Sequence, residues 1–231
     1  LHRESGKPGG AVCIYGKGGE MMKGLLYKDW LMLKKYCRVY LLVLIVFLVI
    51  SVSAEESIFF SVYLMVLSSV LGVTLVSYDE KSGWERYCDT LPCPRELRVN
   101  EKYVFSVILM GAVFAALTVS QVHHMQITGS SGREVSLTLL NAFICGLFTA
   151  SISFPAVFRW GVEQGRIIYF VVIFAMVGLE PGAVKFVQEL SPEMTAQLFG
   201  SWLVSALPVL ALLIFLGSWR LSLRLYRKRV L

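Results

Sequence analysis

Apolar residues fall in long runs along this chain, separated by short stretches rich in charge. The runs cover residues 39–53, 58–77, 103–122, 137–158, 167–179 and 198–219. One helix needs roughly 17–25 apolar residues to cross a bilayer core about 30 Å thick. Runs two, three, four and six reach that length. The first is lean, but Arg38 can snorkel to the headgroups and extend it. The fifth stops early, where Glu180-Pro181-Gly182 interrupts it. Lipid offers no partners to backbone amides and carbonyls, so each spanning segment must pair its own as a helix. The pattern predicts an all-α membrane protein with six transmembrane helices over 39–219.

Two stretches between the runs carry a helical period of their own. Over 22–38, Met22, Leu26, Trp30, Leu33 and Cys37 recur at helical spacing, with Lys28 and Lys35 opposite. This predicts an amphipathic elbow lying in the interface, with Leu26, Trp30 and Leu33 as apolar anchors. Its lysines would face lipid phosphates. Between runs two and three, Ser82 and Glu85 have capping-box spacing. Trp84, Tyr87, Cys88 and Leu91 then recur at i, i+3, i+4 and i+7. Pro92 and Pro94 end the segment. A helix this short is not stable alone in water, so its aromatic face must dock on something. The bundle itself, the membrane surface and a soluble partner all remain open as the dock.

Composition agrees with the pattern. The 231 residues are 56% hydrophobic and 16% charged. A soluble domain is nearer about 45–50% apolar and about 25% charged, so a soluble enzyme and a disordered chain are both excluded. The net charge of +6 first suggests nucleic acid. Its distribution points elsewhere. Arg133 and Lys185 stand alone on one side of the six spans, and the other basic residues fall on the opposite side. By the positive-inside rule both termini are cytoplasmic, including a basic tail over 220–231. The charge is a topology signal, and no nucleic-acid partner is needed. Residues 1–21 are rich in glycine and are expected to be a disordered or non-native extension. None of the five cysteines falls in an outer loop, so no disulfide framework is predicted.

Candidate chemistry is sparse. Gly129-Ser130-Ser131-Gly132 has the Gly-x-Ser-Gly form of an intramembrane protease, but that mechanism needs a general base near the serine. His123 and His124 are in the same outer loop, and the sixth span has no histidine. No Gly-x-x-x-x-Gly-Lys-Ser/Thr loop occurs, so no phosphate cradle for ATP is recognisable. No cofactor or metal site is predicted. The polar positions inside the spans are mostly Ser and Thr, with Asn141, which suits helix packing and hydrophobic or amphipathic cargo better than a proton relay.

Two motifs carry a resemblance. Met22-Lys23-Gly24-Leu25-Leu26-Tyr27-Lys28-Asp29 is the first. The second is Ser77-Tyr78-Asp79-Glu80-Lys81-Ser82-Gly83-Trp84-Glu85-Arg86-Tyr87, followed by Leu91-Pro92. Together they resemble permease subunits of ABC-type exporters in the ABC-two membrane family. They are most similar to a bacterial branch that exports amphipathic peptides such as phenol-soluble modulins. The resemblance implies a plasma-membrane permease working with two copies of a separate ABC ATPase subunit, which binds the ATP and magnesium. It implies a second permease chain, identical or not. It also implies a coupling helix over 80–92, with Glu80, Ser82, Trp84, Glu85, Arg86, Tyr87, Cys88 and Leu91 meeting the ATPase. A smaller contact would come from Glu163 and Gln164, and an outer re-entrant hairpin would cover 180–198. The rival readings are a channel or scaffold without an ATPase, and the intramembrane peptidase.

Overall fold

The computed structural model describes residues 10–53, 57–90, 95–129, 131–189 and 201–229. Among these residues it is built of seven helices: α1 (Gly10–Tyr36), α2 (Arg38–Ser53), α3 (Ser57–Lys81), α4 (Trp84–Asp89), α5 (Arg95–Thr128), α6 (Gly132–Glu189) and α7 (Ser201–Arg229). Four are long and apolar enough to cross a membrane, over Ile58–Lys81, Glu96–Thr128, Gly132–Gly161 and Ala206–Tyr226. These correspond to the second, third, fourth and sixth expected spans. The first expected span is the shorter apolar helix Arg38–Ser51. The fifth belongs to the second arm of α6, beyond a break at Gly161, where φ is 81° and ψ is 177°.

Three boundaries differ from the sequence reading. Helix α1 starts at Gly10, ahead of the expected elbow, and so takes in residues 10–21. Once a helix is nucleated, each added residue closes one more hydrogen bond, and extension toward the N-terminus is easy. Helix α6 continues through Glu180-Pro181-Gly182 to Glu189, so the expected interruption is absent there. The remainder of the 180–198 hairpin lies outside the described residues. The expected coupling helix over 80–92 is divided: Glu80 and Lys81 end α3, and α4 is only six residues long.

Helix α3 is the centre of the bundle. It packs against α2, α5 and α6, and α7 packs on α6 and α5. Its apolar side chains point all round the axis, and Val62, Leu64, Met65, Val66, Leu71 and Leu75 are all buried. A helix apolar on every side is one enclosed by neighbours. Small residues let the helices approach closely. Gly72 faces Ser106 and Phe154, and Gly146 faces Met65 and Met110.

Side-chain hydrogen bonds tie the helices where apolar packing alone is non-directional. Gln121 Nε2 donates to Ser61 Oγ at 2.8 Å, joining α5 to α3. The Tyr103 hydroxyl lies 3.0 Å from Ser218 Oγ and 2.7 Å from Ser222 Oγ, joining α5 to α7. Ser218 donates to the Ser151 carbonyl of α6 at 2.7 Å. Trp219 Nε1 donates to Asn100 Oδ1 at 2.8 Å. Small residues and interhelical hydrogen bonds are the usual cement of helices in lipid, where the hydrophobic effect cannot drive them together. Outside this core, Val39, Leu42, Ile45 and Val49 on α2 and Leu210, Leu213 and Leu216 on α7 are exposed. Apolar faces of this extent belong against lipid.

Candidate functional site

The two sequence motifs meet at one end of the bundle. Helix α3 ends at Lys81, and Gly83 turns the chain into α4 with φ 69° and ψ 15°. A side chain would be strained in that left-handed conformation, which glycine adopts freely. The Ser82 amide donates to the Tyr78 carbonyl at 2.9 Å, and the Gly83 amide donates to Glu80 at 3.2 Å. The Ser82 hydroxyl turns back to the Asp79 carbonyl at 3.1 Å. Gly83 holds the N-cap position of α4, and no side chain caps the helix. The expected Ser82/Glu85 capping box is therefore not formed. Ser82 closes the last turn of α3, because Gly83 separates it from the amides it would have to reach. At the other end, the Thr90 amide and hydroxyl both donate to Tyr87, at 3.1 and 2.6 Å.

The aromatic face of α4 is split between the bundle and solvent. Cys88 is fully buried. Trp84 is half-buried and its ring centre lies 5.4 Å from that of Tyr87. Tyr87 is 58% exposed, so among the described residues of this face it is the one turned to solvent. Glu80 is exposed at the end of α3. The side chains of Glu85, Arg86, Glu163 and Gln164, and the whole of Leu91, lie outside the described residues.

Beneath α4 five charged side chains converge from three helices. Lys28 Nζ donates to both carboxylate oxygens of Asp79, at 3.0 and 2.8 Å. Lys102 Nζ donates to both oxygens of Asp29, at 2.7 and 2.8 Å, and sits 2.6 Å from Asp79 Oδ2. Glu101 Oε1 stands 3.6 Å from Lys28 and 3.8 Å from Lys102. Asp29, Asp79, Glu101 and Lys102 are buried. Charges survive out of water only where opposite charges and hydrogen bonds replace hydration, and here each ammonium bridges several carboxylates. Above them the Lys28 ammonium lies 4.8 Å from the centre of the Trp84 ring, a cation–π contact. Beside them the Tyr36 and Tyr78 rings stack at 5.2 Å, a second tie between α1 and α3.

This geometry corrects the expected role of Lys28, which turns into the protein and not toward lipid phosphates. The buried stripe of α1 is Leu25, Asp29 and Leu33, and Cys37 just beyond its end continues it. Leu33 thus packs in the core, Leu26 is half-buried, and Trp30 is exposed. Lys35 is exposed and lies 5.4 Å from the Tyr36 ring centre, while Lys34 lies 4.9 Å from that of Trp30. The sequence reading missed Asp29, Asp79, Glu101 and Lys102 as a group. The available sign was Asp29 itself, a carboxylate on an otherwise apolar stripe.

The serine tested for protease chemistry has a structural partner. The Ser131 amide donates to Glu134 Oε2 at 3.3 Å, and the Glu134 amide donates to Ser131 Oγ at 3.4 Å. That reciprocal pair is a capping box opening α6. His124 lies against Thr128 of its own helix, at 3.4 and 3.5 Å from the hydroxyl. Among the described residues no cluster of three or more His, Cys, Asp or Glu is suited to a metal.

Comparison with curated proteins and comparison with solved structures each find no match. A family model does match, described as ABC-2 family transporter protein, over residues 24–227. The second motif, residues 24–29 of the first, the ion cluster and all four long apolar helices fall inside that range, and the chain belongs to the ABC-2 transporter family as a membrane-spanning permease.

Proposed function

We propose that the chain is the permease subunit of an ATP-driven exporter, gripped by a separate ABC ATPase subunit through α4. The observation that carries this reading is the placement of Tyr87. It is exposed on a six-residue helix that leaves α3 at Gly83 and is otherwise anchored by the buried Cys88. A short anchored helix with an aromatic side chain turned outward is built to receive a partner, because aromatic anchors contribute large area at small entropic cost.

In this reading two ATPase copies serve a pair of permease chains in the bacterial plasma membrane, with both termini in the cytoplasm. ATP closes the two ATPases, and the motion is delivered through α4 to the bundle. Coupling requires only that the two states of the bundle bind the ATPases with different free energies. The cargo is an amphipathic peptide or another hydrophobic compound. Ser, Thr and apolar side chains on α3, α5 and α6 support that class of cargo over ions. ATP and magnesium are held by the partner. The test is Trp84→Ala with Tyr87→Ala. This variant should insert and fold as the native chain does and lose co-purification with the ATPase. Retained co-purification would overturn the assignment of α4. A channel or scaffold would show no ATPase partner at all.

A further inference from the structure

Lys28 touches three helices besides forming part of its own. It donates to Asp79 at the end of α3, sits 3.6 Å from Glu101 of α5, and lies under the Trp84 ring of α4. Asp79 is shared, because Lys102 at the start of α5 also holds it at 2.6 Å. Lys102 in turn holds Asp29 of α1 at 2.7 Å. The segment entering α4 and the segment leaving it are thus both bound to α1 through one charge lattice. Lys28 is its only member in cation–π contact with α4 among the described residues.

We propose that Lys28 is a positioning residue of the transport cycle: it seats Trp84 and locks α4 to the buried Asp29–Asp79–Lys102 lattice, so that α1 moves with α4. The proposal rests on the reading of α4 as the ATPase-contacting helix. Its physical basis is stiffness. Apolar contacts slide past one another at small cost, whereas a buried carboxylate cannot leave its ammonium without standing uncompensated in a low dielectric. Helices joined by such pairs rearrange together or not at all. The stoichiometry sharpens this. Two ammonium groups serve three carboxylates, so removing one leaves three carboxylates on a single partner. Lys28 is also the one lysine of the two with solvent access, its side chain being 19% exposed against 6% for Lys102. It can therefore be replaced with less damage to folding. A methionine at this position keeps the apolar stem and loses both the ion pairs and the cation–π contact. Arginine keeps all three.

The experiment uses the permease in complex with its ATPase in lipid nanodiscs. Spin labels are placed at the exposed positions Lys23 of α1, Lys81 of α3 and Arg220 of α7, and distances are measured with and without MgATP trapped by vanadate. In the native chain the Lys23–Lys81 distance should stay single and unmoved on trapping, while the Lys81–Arg220 distance shifts. In Lys28→Met the Lys81–Arg220 shift should persist, and the Lys23–Lys81 distance should split or move. Lys28→Arg should restore the native behaviour. The proposal is overturned if Lys28→Met keeps a single, unmoved Lys23–Lys81 distance. It is also overturned if Lys28→Met loses the folded complex and Lys28→Arg fails to recover it, since Lys28 would then be a packing residue alone. The Trp84→Ala/Tyr87→Ala variant separates the two failures. If it still binds the ATPase, the reading of α4 falls and takes the proposal with it. If it releases the ATPase while Lys28→Met behaves as native, only the proposal falls.

Discussion

Lys102 Nζ lies 2.7 Å from Asp29 Oδ1, although 73 positions separate them in the chain. This pair joins α1 to α5, and neither side chain has appreciable contact with solvent. Removing one partner of such a pair leaves a buried charge with less compensation than folding requires. Breaking a buried pair typically costs about 3–5 kcal/mol. Asp29→Ala should fall toward the lower end of that range, because Lys102 keeps Asp79. Lys102→Met should cost more than Asp29→Ala, because it leaves Asp29, Asp79 and Glu101 to share Lys28 alone. Denaturant titration in detergent reads the difference, and a loss no larger than that of Asp29→Ala would show that Lys102 is not what holds the two helices.

Gly72 sits where α3 meets α5 and α6. A Cβ there would collide with Ser106 Oγ and come within 2.9 Å of Phe154 Cζ. Alanine would gain about 1 kcal/mol of helix propensity over glycine. Forcing one methyl into a filled interface costs about 1–3 kcal/mol. The clash exceeds the gain, so Gly72→Ala should lower thermal stability. Adding Ser106→Ala removes the first obstacle and should recover part of the loss. A Gly72→Ala variant as stable as the native chain would mean that α3 and α5 are further apart than described.

Cys37 and Cys88 are both buried, and burial pushes the Cys37 thiol above its ordinary pKa. A maleimide reacts with the thiolate, so access is denied at both cysteines and the reactive form is further suppressed at Cys37. With Cys13, Cys93 and Cys145 replaced by serine, the folded protein should label poorly at neutral pH and fully after denaturation in SDS. Raising the pH should help Cys37 less than an exposed thiol, because its raised pKa keeps it protonated further up the scale. Rapid labelling at Cys88 in the folded protein would place α4 away from the bundle.

The spanning helices were legible because lipid imposes one rule on every segment, and a run of apolar residues is its direct trace. Ile58–Lys81 and Ala206–Tyr226 were visible for that reason. The ion cluster was not. A local period sees only neighbours within one helix, whereas Lys28 is explained by Asp79 and Lys102. The period of Met22, Leu26, Trp30, Leu33 and Cys37 sets an apolar face that leaves Asp29 off it. In the structure Leu25, Asp29, Leu33 and Cys37 are buried, a face turned by about 40° from that one at about 100° per residue. The end of α3 shows the same limit. Ser82 and Glu85 have the right spacing for a cap, but spacing does not reveal that Gly83 takes a left-handed turn. The motif around Gly83 nevertheless supplies two members of this end of the bundle, since Asp79 belongs to the charge lattice and Trp84 lies against Lys28.

Ser131 offers the sharpest separation of the transporter from a peptidase. Its hydroxyl accepts the Glu134 amide, and its own amide is met by the Glu134 carboxylate, so both groups are occupied in starting α6. A serine nucleophile would need a base at hydrogen-bond distance, whereas the His124 ring lies against the Thr128 hydroxyl of its own helix. Ser131→Ala should therefore act as the loss of a helix cap, costing about 1 kcal/mol of stability. Ser131→Asn, which keeps an oxygen able to cap, should recover most of it. Neither change should alter ATPase binding, because Ser131 and α4 lie at opposite ends of α5, which runs from Arg95 to Thr128. If Ser131→Ala instead abolished cleavage of a membrane-embedded peptide by the purified chain, without lowering stability, the serine would be a nucleophile and the transporter reading would lose its simplest support.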